Sequence, residues 1–299
     1  MEYKKIIRNQ ETRFRLLNLM KFIPDKIMLK VQHKIKLNKA LNLKTPKRYS
    51  EKVQWYKLNY RDALMTKCAD KFSVREYVES KGLKEILVDL YGVYTDPNLI
   101  NLDDLPDKFI MKTTNGSGTN YICKDKKEFD IELTKSKLNK WMKRNIFSAS
   151  REWAYKDIEP KIIVEELIED KNNEFSGIND YKIFCFNGKV EYIVVDVDRD
   201  IGHKRNIYNA NWSLIKTSTD YPNIGKNIKK PERLEEMIKI AEKLSNDFPH
   251  VRVDLYWVNN KIYFGELTFY PWAGHIYFSE DEFDFILGEK FKLPKVKKG

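Results

Sequence analysis

Between Val251 and Tyr270 apolar and polar residues alternate, and the stretch VRVDLYWVNNKIYFGELTFY reads as two strands around an asparagine turn. With a period of two, Arg252, Asp254 and Tyr256 share one face, and Phe264, Glu266 and Thr268 share one face of the partner strand. A three-residue loop at Asn259-Asn260-Lys261 pairs Asp254 with Glu266 and Arg252 with Thr268, whereas a two-residue loop sets the carboxylates on opposite faces. Opposed carboxylates repel unless a cation separates them, so the pattern predicts a magnesium site.

The same reading continues upstream. Pro231 opens a helix with Leu234, Met237, Ile238, Ala241 and Leu244 on one stripe. Asp180 to Asp198 reads as a hairpin turning at Asn187-Gly188, a strong two-residue signal. Lys161 to Val164, Phe109 to Lys112 and Tyr121 to Cys123 are predicted strands, and residues 126–157 are expected to be mostly helical, with Leu133, Leu138 and Trp141 inward. Ile86 to Tyr94 looks extended. Helices are predicted around Val74, Tyr77 and Val78, ending at Gly82, and after Pro46 and Ser50. The outcome is an α+β fold of antiparallel sheets with helices packed on them.

Composition changes this picture mainly at the N-terminus. Residues 1–48 hold 14 Lys and Arg against 3 acids, while the remaining 251 residues hold 41 of each sign. The net charge of +11 therefore belongs to an arm and not to the body. Phe14, Leu16, Leu17, Leu19, Met20, Phe22 and Ile23 mingle there with Arg13, Arg15 and Lys21, and a second basic amphipathic helix follows Pro24. Such helices lie on anionic surfaces or pack on a body with their lysines in water. No stretch approaches the roughly 20 apolar residues that cross a bilayer, and no signal-peptide pattern is visible. A cytoplasmic protein is expected, and contact with the inner leaflet of the membrane through residues 1–48 stands open beside packing of the arm on the body. Cys68, Cys123 and Cys185 are scattered, so neither a disulfide framework nor a zinc site is indicated. The neutral body, without an aromatic-basic stripe, argues against nucleic acid as a partner.

Candidate chemistry begins at Lys112, which ends an apolar strand and precedes Asn115-Gly116-Ser117-Gly118. Glycines let backbone N–H groups approach phosphate oxygens, and a strand-end lysine adds a point charge. No Gly-Lys-Ser/Thr follows, so this is not a Walker motif, and a Gly-Ser-Gly tip is also ordinary turn chemistry. Asp70-Lys71 at a helix start is equally ordinary as capping. The combination in chain order is more specific: Lys71, Lys112 with its glycine loop, the strand running into Glu165-Glu166-Leu167-Ile168, then Arg-x-Asp opposite Glu-x-Thr.

In this order, and in the phrases LPDKFIMKTTNGSG, DYKIFCFNGKV, RVDLYWVNNKIYFGELTF and PKRYSEKVQWYK, the chain resembles the TupA-like branch of the ATP-grasp superfamily over roughly residues 40–290. The resemblance implies two α+β lobes gripping ATP: a basic helical arm at 1–48, an N-terminal lobe with the glycine loop at 49–164, and a C-terminal lobe with the metal site at 165–299. Lys71 and Lys112 would touch ATP phosphates, and Gly116, Ser117 and Gly118 would form a lid over them. Glu165, Glu166, Leu167 and Ile168 would bind adenine, and Asp180 the ribose. Asp254 and Glu266 match magnesium ligands; Thr268 stands where many relatives carry asparagine. Arg252, with Lys112, would stabilise charge on the transferring phosphoryl group.

The implied activity is an ATP- and Mg²⁺-dependent carboxylate–amine ligase forming an amide through an acyl phosphate, in bacterial cell-surface polysaccharide assembly. Its partners would be an amine or amino acid and a carboxylate-bearing glycan, and the short helical front suggests an open acceptor site. A glycosyltransferase or sugar kinase of the same pathway is the alternative, since paired acids also serve those reactions. Lys182, Arg199, Lys204 and Arg205 flank the central hairpin and are candidates to grip phosphate or an acidic sugar. His275 in PWAGH is a candidate for substrate contact.

Overall fold

The computed structural model describes residues 10–295, so the first nine residues of the basic arm and the last four of the chain lie outside the described residues. The chain begins with α1 (Gln10–Leu19), α2 (Asp25–Leu37), α3 (Tyr49–Asn59), α4 (Ala63–Ala69) and α5 (Val74–Ser80). A first sheet then forms from β1 (Leu90–Tyr94), β2 (Phe109–Thr113), β3 (Asn120–Cys123) and β4 (Ile162–Glu166), with α6 (Ile131–Met142) and α7 (Ile146–Ser150) between β3 and β4. The second sheet uses β5 (Asp180–Phe186), β6 (Lys189–Val197), β7 (Lys204–Asn209), β8 (His250–Val258) and β9 (Lys261–Thr268). Between β7 and β8 runs α8 (Leu234–Ser245), and α9 (Asp281–Lys290) closes the chain.

Strand order is β1-β4-β2-β3 in the first sheet and β7-β6-β5-β8-β9 in the second. Every pairing is antiparallel, as the alternating patterns require. Asn187 and Gly188 both adopt positive φ, the conformation a two-residue hairpin turn needs, and β5 pairs with β6 as expected. β7 escaped the sequence reading. Its alternation is masked because two of its buried positions are Arg205 and Asn206.

Among the described residues two apolar cores result. The larger lies around the second sheet, where Met237, Ala241 and Leu244 of α8 meet Ile183, Cys185, Val253 and their neighbours. Val53 and Tyr56 of α3, Met65 of α4 and Val78 of α5 belong to this same core, so the helices that open the 49–164 segment pack with the second sheet. The smaller core joins Phe109, Met111, Leu138 and Val164. Leu133, expected inward, is exposed.

The C-terminal helix is fastened to the front of the chain. Asp284 accepts hydrogen bonds from Ser50 N at 2.9 Å and Ser50 Oγ at 2.7 Å, and Gly288 lies so close to the Lys47–Tyr49 backbone that a Cβ there would clash. Among the described residues no helix is long and apolar enough to cross a membrane.

Candidate functional site

The β8–β9 ribbon departs from both geometries anticipated for it. Its turn has two residues, Asn259 and Asn260, both at positive φ, which by simple alternation would set Asp254 and Glu266 on opposite faces. A bulge between the Asp254–Glu266 and Leu255–Phe264 pairs restores their opposition, with Gly265 as the extra residue. Phe264 consequently pairs with Leu255 and does not continue the face of Glu266, as the period of two had grouped it. A Cβ at position 265 would lie 3.0 Å from the Asp254 carbonyl oxygen and 3.3 Å from the Asp254 Cβ, so any larger residue at the bulge would press on the Asp254 backbone.

Arg252 lies between the two acids. Its guanidinium forks onto Asp254, with Nε to Oδ1 and Nη2 to Oδ2 both at 2.6 Å, and Nη2 also reaches Glu266 Oε1 at 3.1 Å. Thr268 Oγ1 accepts from Arg252 Nη2 at 3.1 Å and donates to Glu266 Oε1 at 3.0 Å. Burial pushes the Asp254 carboxyl up to about 7 despite the guanidinium beside it. Glu266 is also pushed up by burial, but Lys71 and Arg252 outweigh this and hold it below the usual carboxylate range. Two neighbouring carboxyls driven in opposite directions are a mark of functional sites.

Lys71 belongs to the turn between α4 and α5, where Asp70 Oδ1 accepts from Phe72 N at 3.0 Å and Ser73 N at 2.6 Å. Its ammonium donates to the Gly116 carbonyl, and burial lowers its pKa. Lys112 donates to Glu165 Oε2 at 2.8 Å across the β2–β4 pair, and Arg75 donates to Glu165 Oε1 at 3.1 Å and to the Val88 carbonyl at 2.9 Å. Lys71, Arg75, Lys112, Glu165, Phe264 and Gly265 line one cleft, which brings the glycine loop and both lysines beside the acid ribbon. Gly116 is buried against Ile146, while Ser117 and Gly118 are exposed at the loop tip. Glu166, Leu167 and Ile168 leave the end of β4 half-buried.

Arg75 of this cleft was missed, and so was the anchoring role of Asn115 beside it. Arg75 has no sequence signal beyond its place four residues after Lys71. Asn115 anchors the glycine loop by donating to the carbonyls of Met142 and Arg144, both at 3.2 Å, which no local pattern reveals.

The hairpin cations form a second, buried network on the same sheet. Lys182 pairs with Asp180 and, at 3.2 Å, with Asp196. Arg199 donates to Asp180 Oδ2 at 2.9 Å, and Arg205 forks onto Asp196 with Nη2 to Oδ2 at 2.8 Å. These ion pairs hold the Asp196 carboxyl well below the usual range, against its burial. Arg205 is fully buried, and its guanidinium packs over Tyr221 and Trp272. Arg199 remains half-exposed. His275 is buried beside Gln54 and Lys36, where burial first, and the charges of Lys36 and Lys57 after it, hold its imidazole neutral. All three cysteines are buried, and burial pushes Cys68 and Cys185 up to about 12.

The donor set suits a hard divalent cation. Asp254, Glu266 and Thr268 offer oxygen only, and the two carboxylates stand opposite each other on the ribbon. Among the described residues no cluster of three or more His, Cys, Asp or Glu side chains could cage a metal alone. Magnesium is commonly held by one or two carboxylates and completed by phosphate oxygens and water, and the ribbon matches that mode.

A sequence model of the family described as TupA-like ATPgrasp matches residues 51–292. No curated protein matches the chain. Among solved structures it is similar to D-alanine–D-alanine ligase from Bacillus anthracis complexed with ATP, at 14% identity and a TM-score of 0.39, covering 67% of this chain and 53% of that one. It is similar also to N5-carboxyaminoimidazole synthase from Aspergillus clavatus with ADP and 5-aminoimidazole ribonucleotide, at 13% identity and a TM-score of 0.41, covering 68% of this chain and 44% of that one. A RimK domain ATP-grasp protein from Sphaerobacter thermophilus gives 9% identity, a TM-score of 0.41, and coverage of 76% and 69%. Against three D-alanine–D-alanine ligase structures the chain spans between 53% and 61% of their length.

Proposed function

This chain belongs to the TupA-like ATP-grasp family, and from that premise we propose that it is an ATP- and Mg²⁺-dependent carboxylate–amine ligase. One observation carries the reading: Lys71 and Lys112 line one cleft with Gly265, Lys71 also holds the glycine loop at Gly116, and Gly265 adjoins Glu266, which Arg252 ties to Asp254. Phosphoryl transfer asks a protein for positioning and charge neutralisation more than for a covalent residue, and this cleft supplies both.

Lys71 and Lys112 bind the triphosphate, and the exposed tip at Ser117-Gly118 covers it. Release of Lys112 from Glu165 by an incoming phosphate leaves Arg75 to hold that carboxylate. Leu167 and Ile168 face adenine, and Asp180 the ribose. Asp254 and Glu266, with the Thr268 hydroxyl beside them, would hold magnesium, which when bound neutralises phosphate charge. An oxygen of the substrate carboxylate attacks the γ-phosphorus, the bond to ADP breaks, and an acyl phosphate forms. An amine nitrogen then attacks the acyl carbon, inorganic phosphate leaves, and the nitrogen loses a proton to give the amide. Arg252 stabilises the oxyanion of that second step.

The substrates we assign are a carboxylate-bearing glycan of a bacterial cell-surface polymer and an amine or amino acid. Arg199, half-exposed at the end of the hairpin, is the candidate contact for the acid, and the basic arm would keep the enzyme beside an anionic surface. The test is to supply ATP with a panel of amino acids and uronic-acid glycans and to follow ADP, phosphate and product mass. ADP release that needs both substrates and yields an amide supports the reading. Phosphate left on the glycan, or indifference to ATP, overturns it.

A further inference from the structure

The arm has two sides, and only one of them is used by the body. On a helix advancing about 100° per residue, Met28, Leu29, Gln32 and His33 of α2 occupy one arc, and all four are buried. Gln32 Nε2 donates to the Ala149 carbonyl at 2.9 Å, and Arg151 Nη2 donates to the Met20 carbonyl at 3.0 Å. Asp25, the one acid of α2, is turned inward, 3.4 Å from Arg151 Nε. The helix is thus held rigidly against α7 and its flank.

The opposite arc is divided lengthwise. Lys26, Lys30 and Lys34 form one exposed row, and Ile27, Val31 and Ile35 form the row beside it, at 54%, 47% and 59% exposure. Just ahead of α2 in the chain, Leu19 at the end of α1 and Phe22 in the turn are exposed at 75% and 80%, with Lys21 exposed between them. Single exposed aliphatic residues are ordinary, but a row of three on a helix whose other side is already packed, with two more just ahead of it in the chain, is not.

We infer that this side of α2 and the turn before it form a docking surface for an anionic lipid bilayer. The chemistry selects that partner. Lysine stems can lie along the surface while their ammonium groups reach headgroup phosphates, and the aliphatic row enters the acyl boundary beside them. A nucleic acid or an acidic glycan would use the lysines and leave Leu19, Phe22, Ile27, Val31 and Ile35 in water. The inference deepens the placement at an anionic surface but rests on the arm alone, and nucleotide binding is read separately so that the ligase reading stands or falls by itself.

The test is flotation of the full chain with vesicles of phosphatidylcholine alone and with about 30% phosphatidylglycerol, at low and high salt. The parent should float with the anionic vesicles, and the triple variant I27Q/V31Q/I35Q should lose at least about tenfold in partitioning. K26Q/K30Q/K34Q should abolish the preference for anionic lipid. Circular dichroism and ATP affinity should match the parent in both variants. No flotation of the parent overturns the inference. So does undiminished flotation of I27Q/V31Q/I35Q, which would mean contact by charge alone, and so does a parent dimer that the same variant converts to monomer without change in flotation.

Discussion

Arg252 occupies the place where opposed acids demand positive charge, and its two-pronged grip on Asp254 sets the geometry of the site. Lysine there would present one point charge in place of a planar fork, so Arg252→Lys should lower turnover while ATP affinity is kept. Asp254→Asn or Glu266→Gln should reduce kcat by about a hundredfold or more, since in the proposed reaction each would remove charge that holds the metal at the transferring group. Steady-state rates equal to the parent's would sink the metal assignment. Lys112→Ala acts differently. On the proposed reading it would remove a phosphate contact and leave Glu165 to Arg75, so titration with ATP should show affinity weakened by about tenfold or more, the size of a charged hydrogen bond. Unchanged affinity would end its phosphate role.

At the scale of elements the bulge at Gly265 decides whether the ribbon carries a site. Gly265→Ala places a methyl against the Asp254 carbonyl and Cβ, and the strand must move to admit it. Overpacking of this kind costs about 1–3 kcal/mol, yet its larger effect should fall on kcat, because the displaced residue is Asp254. Thermal melting compared with turnover separates the two, and a variant that melts lower but turns over normally would refute the role given to the bulge. The α3–α9 clamp shows the same principle without the chemistry. A Cβ at Gly288 would sit 2.1 Å from the Lys47 carbonyl oxygen, so Gly288→Ala should lower the melting temperature and leave ATP affinity intact in the folded fraction.

The molecule as a whole buries histidines that it keeps neutral. His250 Nδ1 donates to the Cys185 carbonyl at 2.8 Å and its Nε2 accepts from the Tyr49 hydroxyl at 2.9 Å, and burial lowers its pKa to about 3. His33, buried with both ring nitrogens unpartnered, is lowered to about 4 by its burial. Both folded values lie below the unfolded value of about 6.5, so the unfolded chain takes up protons first as pH falls. Their contribution is intact above about pH 6.5 and is lost progressively down to about pH 4 for His33 and about pH 3 for His250, by about 2 kcal/mol for each histidine at pH 5. Urea denaturation at pH 8 and pH 5 measures the difference. In His33→Leu it should shrink by about 2 kcal/mol, and an unchanged gap would contradict the burial argument.

Much of this was legible in the chain because it is local. The Asn187-Gly188 turn, the α8 stripe and the alternation of β8 and β9 each follow from side-chain size and period within a few residues. So does the gathering of positive charge in residues 1–48, and the order of motifs marked the family. What the sequence could not decide is register and partnership, because these depend on residues far apart in the chain. Whether Asp254 faces Glu266 turned on one extra residue at Gly265 and not on the loop length that local reasoning weighed. Arg205 and Lys182, free cations by local pattern, become partners of Asp196 only when β5, β6 and β7 lie side by side. Local alternation assigns a side chain to a face; only the packed sheet determines what lies opposite it, since burial makes an unpaired charge too costly to keep.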